Sequence, residues 1–194
     1  MTGEVTLTLL ATLPDVMKAV PDVEDEAEVV ASLEIPVKMA AERLDQMRAA
    51  EGAKLAEDLI KRGETIRMYA KKIEAHVPDV VRAWMDKLRD RIQELIGSAY
   101  PVPEERIIAE AAIFADKSSI TEELVRLDSH ILQFNNIIEK SDQPDGKKLD
   151  FLVQEMNREA NTIGSKANDI DVTKWMLEIK SEIEKIREQV QNIE

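Results

Sequence analysis

Three stretches of this 194-residue chain carry side chains whose type and spacing could do chemistry. Glu123, Arg126, His130 and Gln133 recur at steps of three and four, so a helix would set them along one face. A carboxylate, a guanidinium and an imidazole aligned in this way could hold a metal ion, hold a phosphate, or move protons. The simpler reading of the same spacing is an ion pair on a helix surface beside a partly exposed histidine. A second stripe, Asp150, Gln154, Asn157, Asn161, Ser165 and Asn168, is polar and mostly uncharged. Asparagine is a poor helix former, so its repeated use in mid-helix has a local cost. The stripe is either a polar seam buried between helices or subunits, where amides satisfy one another, or a surface that hydrogen-bonds bases and sugar hydroxyls. His76, the other histidine, stands beside Pro78 and reads as a helix-surface residue.

Standard catalytic signatures are absent: there is no phosphate loop, no nucleophile elbow, no zinc-protease helix and no calcium-binding loop. Cysteine is absent too, which excludes disulfides, thiolate catalysis and cysteine zinc sites, and fits a reducing cytoplasm. With two histidines, the chemistry easiest to build is metal-assisted hydrolysis. Asp116, Glu122, Glu123, Asp150, Glu155 and Glu159 are the carboxylates within reach of such a role. The net charge of −13 opposes it, because an acidic surface repels phosphate backbones. An RNA role would need local basic groups, a metal ion, or a basic surface from elsewhere. No apolar run has the length of a membrane span, and the first residues lack the basic flank and cleavage site of a signal peptide.

The elements that must position these residues are helices. Aromatics are 4% of the chain and glycine and proline are scarce, which moves the expectation to an all-α fold. Residues 5–20 suggest a short helix or ordered arm. The acidic stretch from Asp22 to Glu28 opens a helix reaching about Ala50, with a kink at Pro36. Leu55, Leu59, Ile66, Ile73, Val80, Trp84, Leu88, Ile92 and Leu95 then line one side of a long helix. Pro78 should interrupt it, and Gly97 with Pro101 and Pro103 should end it. That proline pair divides the chain into a helical segment at 1–100 and a C-terminal helical domain at 104–194. Three heptad seams follow: Ile120, Leu124, Leu127, Ile131, Phe134 and Ile138; Leu149, Val153, Met156, Ala160, Ile163 and Ala167; and Val172, Met176, Ile179, Ile183, Ile186, Val190 and Ile193. Ser119 and Glu122 could form a capping box for the first, and the turn residues from Ser141 to Gly146 separate it from the second. Seams joined by short loops predict long antiparallel helices packed as a bundle.

Three runs in this order resemble the YicC/YloC family of bacterial endoribonucleases: Glu122 to His130 with Gln133-Phe134, Gly146 to Ala167, and Glu178 to Glu194. The resemblance is strongest from about residue 104 and looser upstream, around Leu13 to Val16 and Met47 to Leu55. Members normally begin with a further strand-rich N-terminal domain that is not in this sequence, so the chain reads as the C-terminal two-thirds of such a protein or as a short member. Lys147 stands where arginine is common. The resemblance implies an RNA-cleaving enzyme, first labelled a stress-induced protein, that works with a divalent metal ion (manganese or magnesium). It also implies a cytoplasmic, ring-like homo-oligomer, a hexamer. On that footing Glu123, His130 and Glu155 are the expected metal or proton-transfer groups. Arg126, Arg158 and Lys166 are the expected phosphate contacts, and Gln154, Asn157 and Asn161 the expected contacts to base or ribose. The competing expectation is a non-catalytic helical module for oligomerisation or protein interaction, which the acidic charge and the unbroken seams favour.

Overall fold

The computed structural model describes residues 4–14, 16–17, 25–97, 101, 103–140 and 146–191. The elements are α1 (Leu7–Ala11), α2 (Glu26–Ile96), α3 (Glu104–Lys117), α4 (Thr121–Lys140), α5 (Gly146–Lys166) and α6 (Ile170–Val190). Among the described residues there is no strand, as the composition leads one to expect. The chain divides into two units, Met1–Ala49 and Ala50–Glu194.

In the first unit Thr6 caps α1 by accepting from the Leu9 amide at 3.3 Å. Asp25 accepts from the Ala27 amide at 3.0 Å where α2 begins. The helix then runs through Pro36 and, in the second unit, through Pro78, where an interruption was expected. Each proline removes one backbone donor and crowds the carbonyl four residues before it. Both prolines are exposed, as are Ser32 and Glu74, so water can satisfy the freed carbonyls. What ends α2 is Gly97, whose φ of +69° is open to glycine at little cost.

The second unit is built on the predicted seams. Leu124, Leu127, Ile131 and Phe134 from α4, Leu149, Val153, Met156, Ala160 and Ile163 from α5, and Val172 to Val190 from α6 form one buried cluster. Ile193 and residues 141–145 lie outside the described residues. Helix α2 closes the bundle with Leu59, Gly63, Ile66, Ala70 and Ile73, a heptad seam in which two positions are too small to announce themselves in the sequence. Leu95, expected on the apolar side, is 73% exposed.

Cross-helix pairs give the directions. On α2, Arg62 meets Glu182 of α6 at 2.9 Å and Arg67 meets Asp128 of α4 at 2.7 Å. On α4, Arg126 approaches Glu159 and Glu123 bonds Lys166, both on α5. Gly63 of α2 also lies against Ile131 and Asn135 of α4, and His76 of α2 is 3.3 Å from Asp169 at the start of α6, so α4 and α6 run antiparallel to α2, and α4 to α5. Helix α3 was not anticipated. It packs on the far part of α2, where Phe114 stacks on Trp84 with centroids 4.5 Å apart and Arg89 makes two bonds to Glu104, at 3.0 and 3.1 Å.

Candidate functional site

The antiparallel α4–α5 pair sets the Glu123–Gln133 stripe of α4 beside the face of α5 that carries Glu155 and Glu159, not beside its amide-rich stripe. His130 lies opposite Glu155 and Glu159, and one ligand atom from each falls within 4.8 Å of the others. Glu159 is 5% exposed. Its nearest counter-charge is Arg126, whose Nη1 is 3.9 Å away and whose Nη2 donates to Glu122. Glu155 is half-buried, with Arg158 at 3.9 Å. The Nδ1 of His130 is buried and has no hydrogen-bond partner. A buried nitrogen left without a partner costs about 1–3 kcal/mol, so a group that completes it would be bound with that saving. An imidazole facing two carboxylates, with a guanidinium at the rim, suits a divalent cation or a proton-transfer site.

Glu123 does not join this group. Seven residues before His130 on α4, it accepts from Lys166 Nζ at 2.8 Å, and the same ammonium donates to the Ser119 carbonyl at 3.0 Å. The Lys166 bond holds the Glu123 carboxyl below its ordinary range against the opposing effect of burial. Two residues that the sequence assigned to chemistry and to phosphate therefore spend their charges on each other. Arg158 is 75% exposed, and Gln154 donates to Asp150 at 2.7 Å. Asn157 is half-buried and Asn161 exposed. With Gln154, Asn161, Ser165 and Asn168 at or near the surface, the polar stripe is not buried between the helices of this chain.

Glu159 is among the carboxylates the sequence offers, but no motif singles it out. Its signal was its place: four residues after Glu155 and directly before the seam residue Ala160, where a helix edge is covered by its neighbour. His76 is not a plain surface residue. It is half-buried, edge-on to Trp175 at 5.4 Å, with Nε2 3.3 Å from Asp169. Asp169 and Asp171 also lie within 4.8 Å of it. Those carboxylates are already employed: Asp169 caps α6 by accepting from the Asp171 and Val172 amides, and Asp171 takes Lys174 at 2.9 Å. The Lys174 bond holds Asp171 below the usual carboxylate range.

Comparison with known proteins gives the chain its family. Residues 73–194 match the family described as endoribonuclease YicC-like, C-terminal. Over 191 residues, 98% of the chain, the sequence is 47% identical to a probable endoribonuclease YicC of Clostridioides difficile. Over 148 residues, 76% of the chain, it is 35% identical to a protein of the same description from Haemophilus influenzae. The chain belongs to the endoribonuclease YicC-like family, in which the α3–α6 segment and the end of α2 form the C-terminal domain. The matched part spans 65% of the first relative and 50% of the second. No helix among the described residues is long and apolar enough to cross a membrane.

Proposed function

We propose that this chain is the helical part of an endoribonuclease and that His130, Glu155 and Glu159 form its phosphodiester-cleaving site with a divalent cation, manganese or magnesium. The observation that carries the reading is His130, which has a buried Nδ1 without a partner and a ring nitrogen within 4.8 Å of two carboxylates, one of them almost fully buried. A side chain set in this way fits a cation that all three residues would hold. Such an ion, when bound, lowers the pKa of water and stabilises charge on phosphoryl oxygens. Arg126, more than half exposed at the rim, would meet the non-bridging oxygens of the scissile phosphate, and Arg158 an adjoining phosphate. Gln154, Asn157 and Asn161 line the outer side of α5, where a base or ribose would lie. Glu123 and Lys166 serve instead as a clip between α4 and α5. RNA is the substrate in this reading, and the cytoplasm the place of action.

The test is cleavage of a labelled RNA, together with manganese binding by calorimetry, for His130→Ala, Glu155→Gln and Glu159→Gln. Each variant should lose cleavage and bind manganese at least about tenfold more weakly. Wild-type cleavage in all three would sink the assignment.

A second reading, a homo-oligomerising helical module, has its own observation. In the first unit, Val30, Leu33, Val37, Ala40, Leu44 and Met47 follow heptad steps along α2 and all are exposed. A second copy of the chain would cover such a stripe. Leu33→Glu with Leu44→Glu should lower the mass seen in sedimentation, and an unchanged mass would remove this part of the proposal.

A further inference from the structure

A chain with 39 acidic and 26 basic residues is a poor surface for a polyanion, so a run of basic side chains with ammonium groups outside any ion pair stands out. Residues 61–72 are such a run, with five basic side chains and one acidic. Two of the five are neutralised. Arg62 is held by Asp58 and Glu182, at 2.8 and 2.9 Å, and Arg67 by Asp128 and Glu64, at 2.7 and 3.1 Å. The other three, Lys61, Lys71 and Lys72, are exposed and have no carboxylate partner among the described residues. The Lys72 ammonium sits 5.0 Å over the Tyr69 ring, which steadies it without cancelling its charge.

The surroundings turn this charge into a track. Arg67 and Lys71 of α2 and Leu124, Val125 and Asp128 of α4 line an open groove between the two helices. A second hollow, with Arg67, Lys71 and Lys72 on its walls, continues it along α2. Asp128 and Glu74 also line the groove and Glu64 the second hollow; Asp128 and Glu64 are both engaged by Arg67, which leaves the Lys71 and Lys72 ammonium groups as the cations free to meet a phosphate. Across α4 from the groove lie Arg126 and His130; Val125, on the groove side, and Arg126 are adjacent in sequence and both exposed. A single strand laid over this narrow ridge would have phosphates at Lys71 and Lys72 on one side and reach His130 on the other.

We infer that the α2–α4 groove at Lys71 and Lys72 binds the phosphate backbone of single-stranded RNA and leads it over α4 to the cleavage site; this rests on the endoribonuclease reading. Arg67, tied to Asp128, sets the groove wall. The two lysines supply point charges that follow a flexible backbone without reading its sequence. Phosphate binding of this kind is registered in the salt dependence of affinity.

The experiment uses the 194-residue chain and a fluorescein-labelled single-stranded RNA, followed by anisotropy across a salt series, with chelator present to keep the strand intact. The variants are Lys71→Ala with Lys72→Ala, and Lys180→Ala on α6 as control. The double variant should bind several-fold more weakly at low salt. Its slope of log affinity on log salt should be shallower by about 1.4, about 0.7 for each phosphate that no longer meets a lysine. The control should match wild type, and melting curves should coincide, because none of these lysines has a carboxylate partner in the described fold. Wild-type binding that the double variant retains would overturn the groove while leaving the endoribonuclease reading intact. Absence of binding by the wild-type chain would overturn the groove too, and manganese-dependent cleavage measured separately would then decide the reading. Competition by polyglutamate as strong as by unlabelled RNA would mark a general polyanion surface and overturn the assignment to RNA.

Discussion

Lys166 donates to Glu123 across the end of the α4–α5 pair, 43 positions apart in sequence, through a 2.8 Å bond to a carboxylate that is 7% exposed. The other Glu123 oxygen, Oε2, is buried without a partner, so the pair depends on that single ammonium. Removing it with Lys166→Met would leave a buried charge unanswered. Lys166 is about a third exposed, and water screens part of the effect, so the expected loss is about 2 kcal/mol. Chemical denaturation should show that loss, and Glu123→Gln with Lys166→Met should restore much of it.

The same pair sets a pH dependence. Because Lys166 holds the folded-state pKa of Glu123 below its unfolded value, the pair's contribution is fully present above the ordinary glutamate range, about 4.3. It fades as pH falls through the lower folded value. Melting temperatures taken downward from pH 5 should fall faster for wild type than for Glu123→Gln. Parallel curves would contradict this.

Gly63 lets α2 approach α4. A Cβ there would stand 3.0 Å from Asn135 Oδ1 and 3.3 Å from Ile131 Cγ2, both on a buried face. Alanine gains about 1 kcal/mol in helix propensity. Forcing apart a packed interface costs about 1–3 kcal/mol, so Gly63→Ala should be net destabilising. Adding Asn135→Ala should recover stability by removing the tighter of the two approaches. Thermal melts of the single and double variants check both steps.

Ile183 is 1% exposed in the α6 seam. Ile183→Asp places a carboxylate among apolar side chains, and the expected loss is at least about 4 kcal/mol. Circular dichroism should find the variant largely unfolded or forced to partner with other molecules.

On the proposed reading Arg126 meets phosphate while also standing 3.9 Å from the buried Glu159. Its side chain is 54% exposed and its 3.9 Å approach to Glu159 is longer than a hydrogen bond, so Arg126→Ala should lower the melting temperature less than Lys166→Met does. It should lower kcat/KM for RNA about tenfold, about 1.4 kcal/mol. Arg126→Lys should not restore the rate, since lysine lacks the two-pronged donor set.

The three C-terminal seams were legible in the sequence because heptad spacing survives any choice of neighbour. In the part of α2 that completes the bundle, Leu59, Ile66 and Ile73 were legible as one side of a long helix, while Gly63 and Ala70 were hidden because they contribute by being small. Helix α3 was hidden too, since its buried residues, Ile107 and Ala111, are too few to set up a period. Prolines misled at Pro78, where exposure makes a missing hydrogen bond tolerable. At the proposed site, the face carrying His130 was readable from spacing, and Glu155 came from the family resemblance. The choice of Glu159 over Glu123 was not readable, because it depends on the register of α4 against α5, and that register is fixed by pairs such as Glu123 and Lys166 themselves.

Helix α2 is one element with two kinds of support. Between Leu59 and Ile73 every seam residue is buried, whereas Val30, Leu33, Val37, Leu44 and Met47 are all more than half exposed. A helix without tertiary burial is marginal in water. Amide protons of residues 26–49 should therefore exchange with deuterium far faster than those of residues 59–73, with the change falling inside a continuous helix. Whatever covers the exposed stripe would be detected as slowed exchange there, giving a direct record of assembly along a single helix.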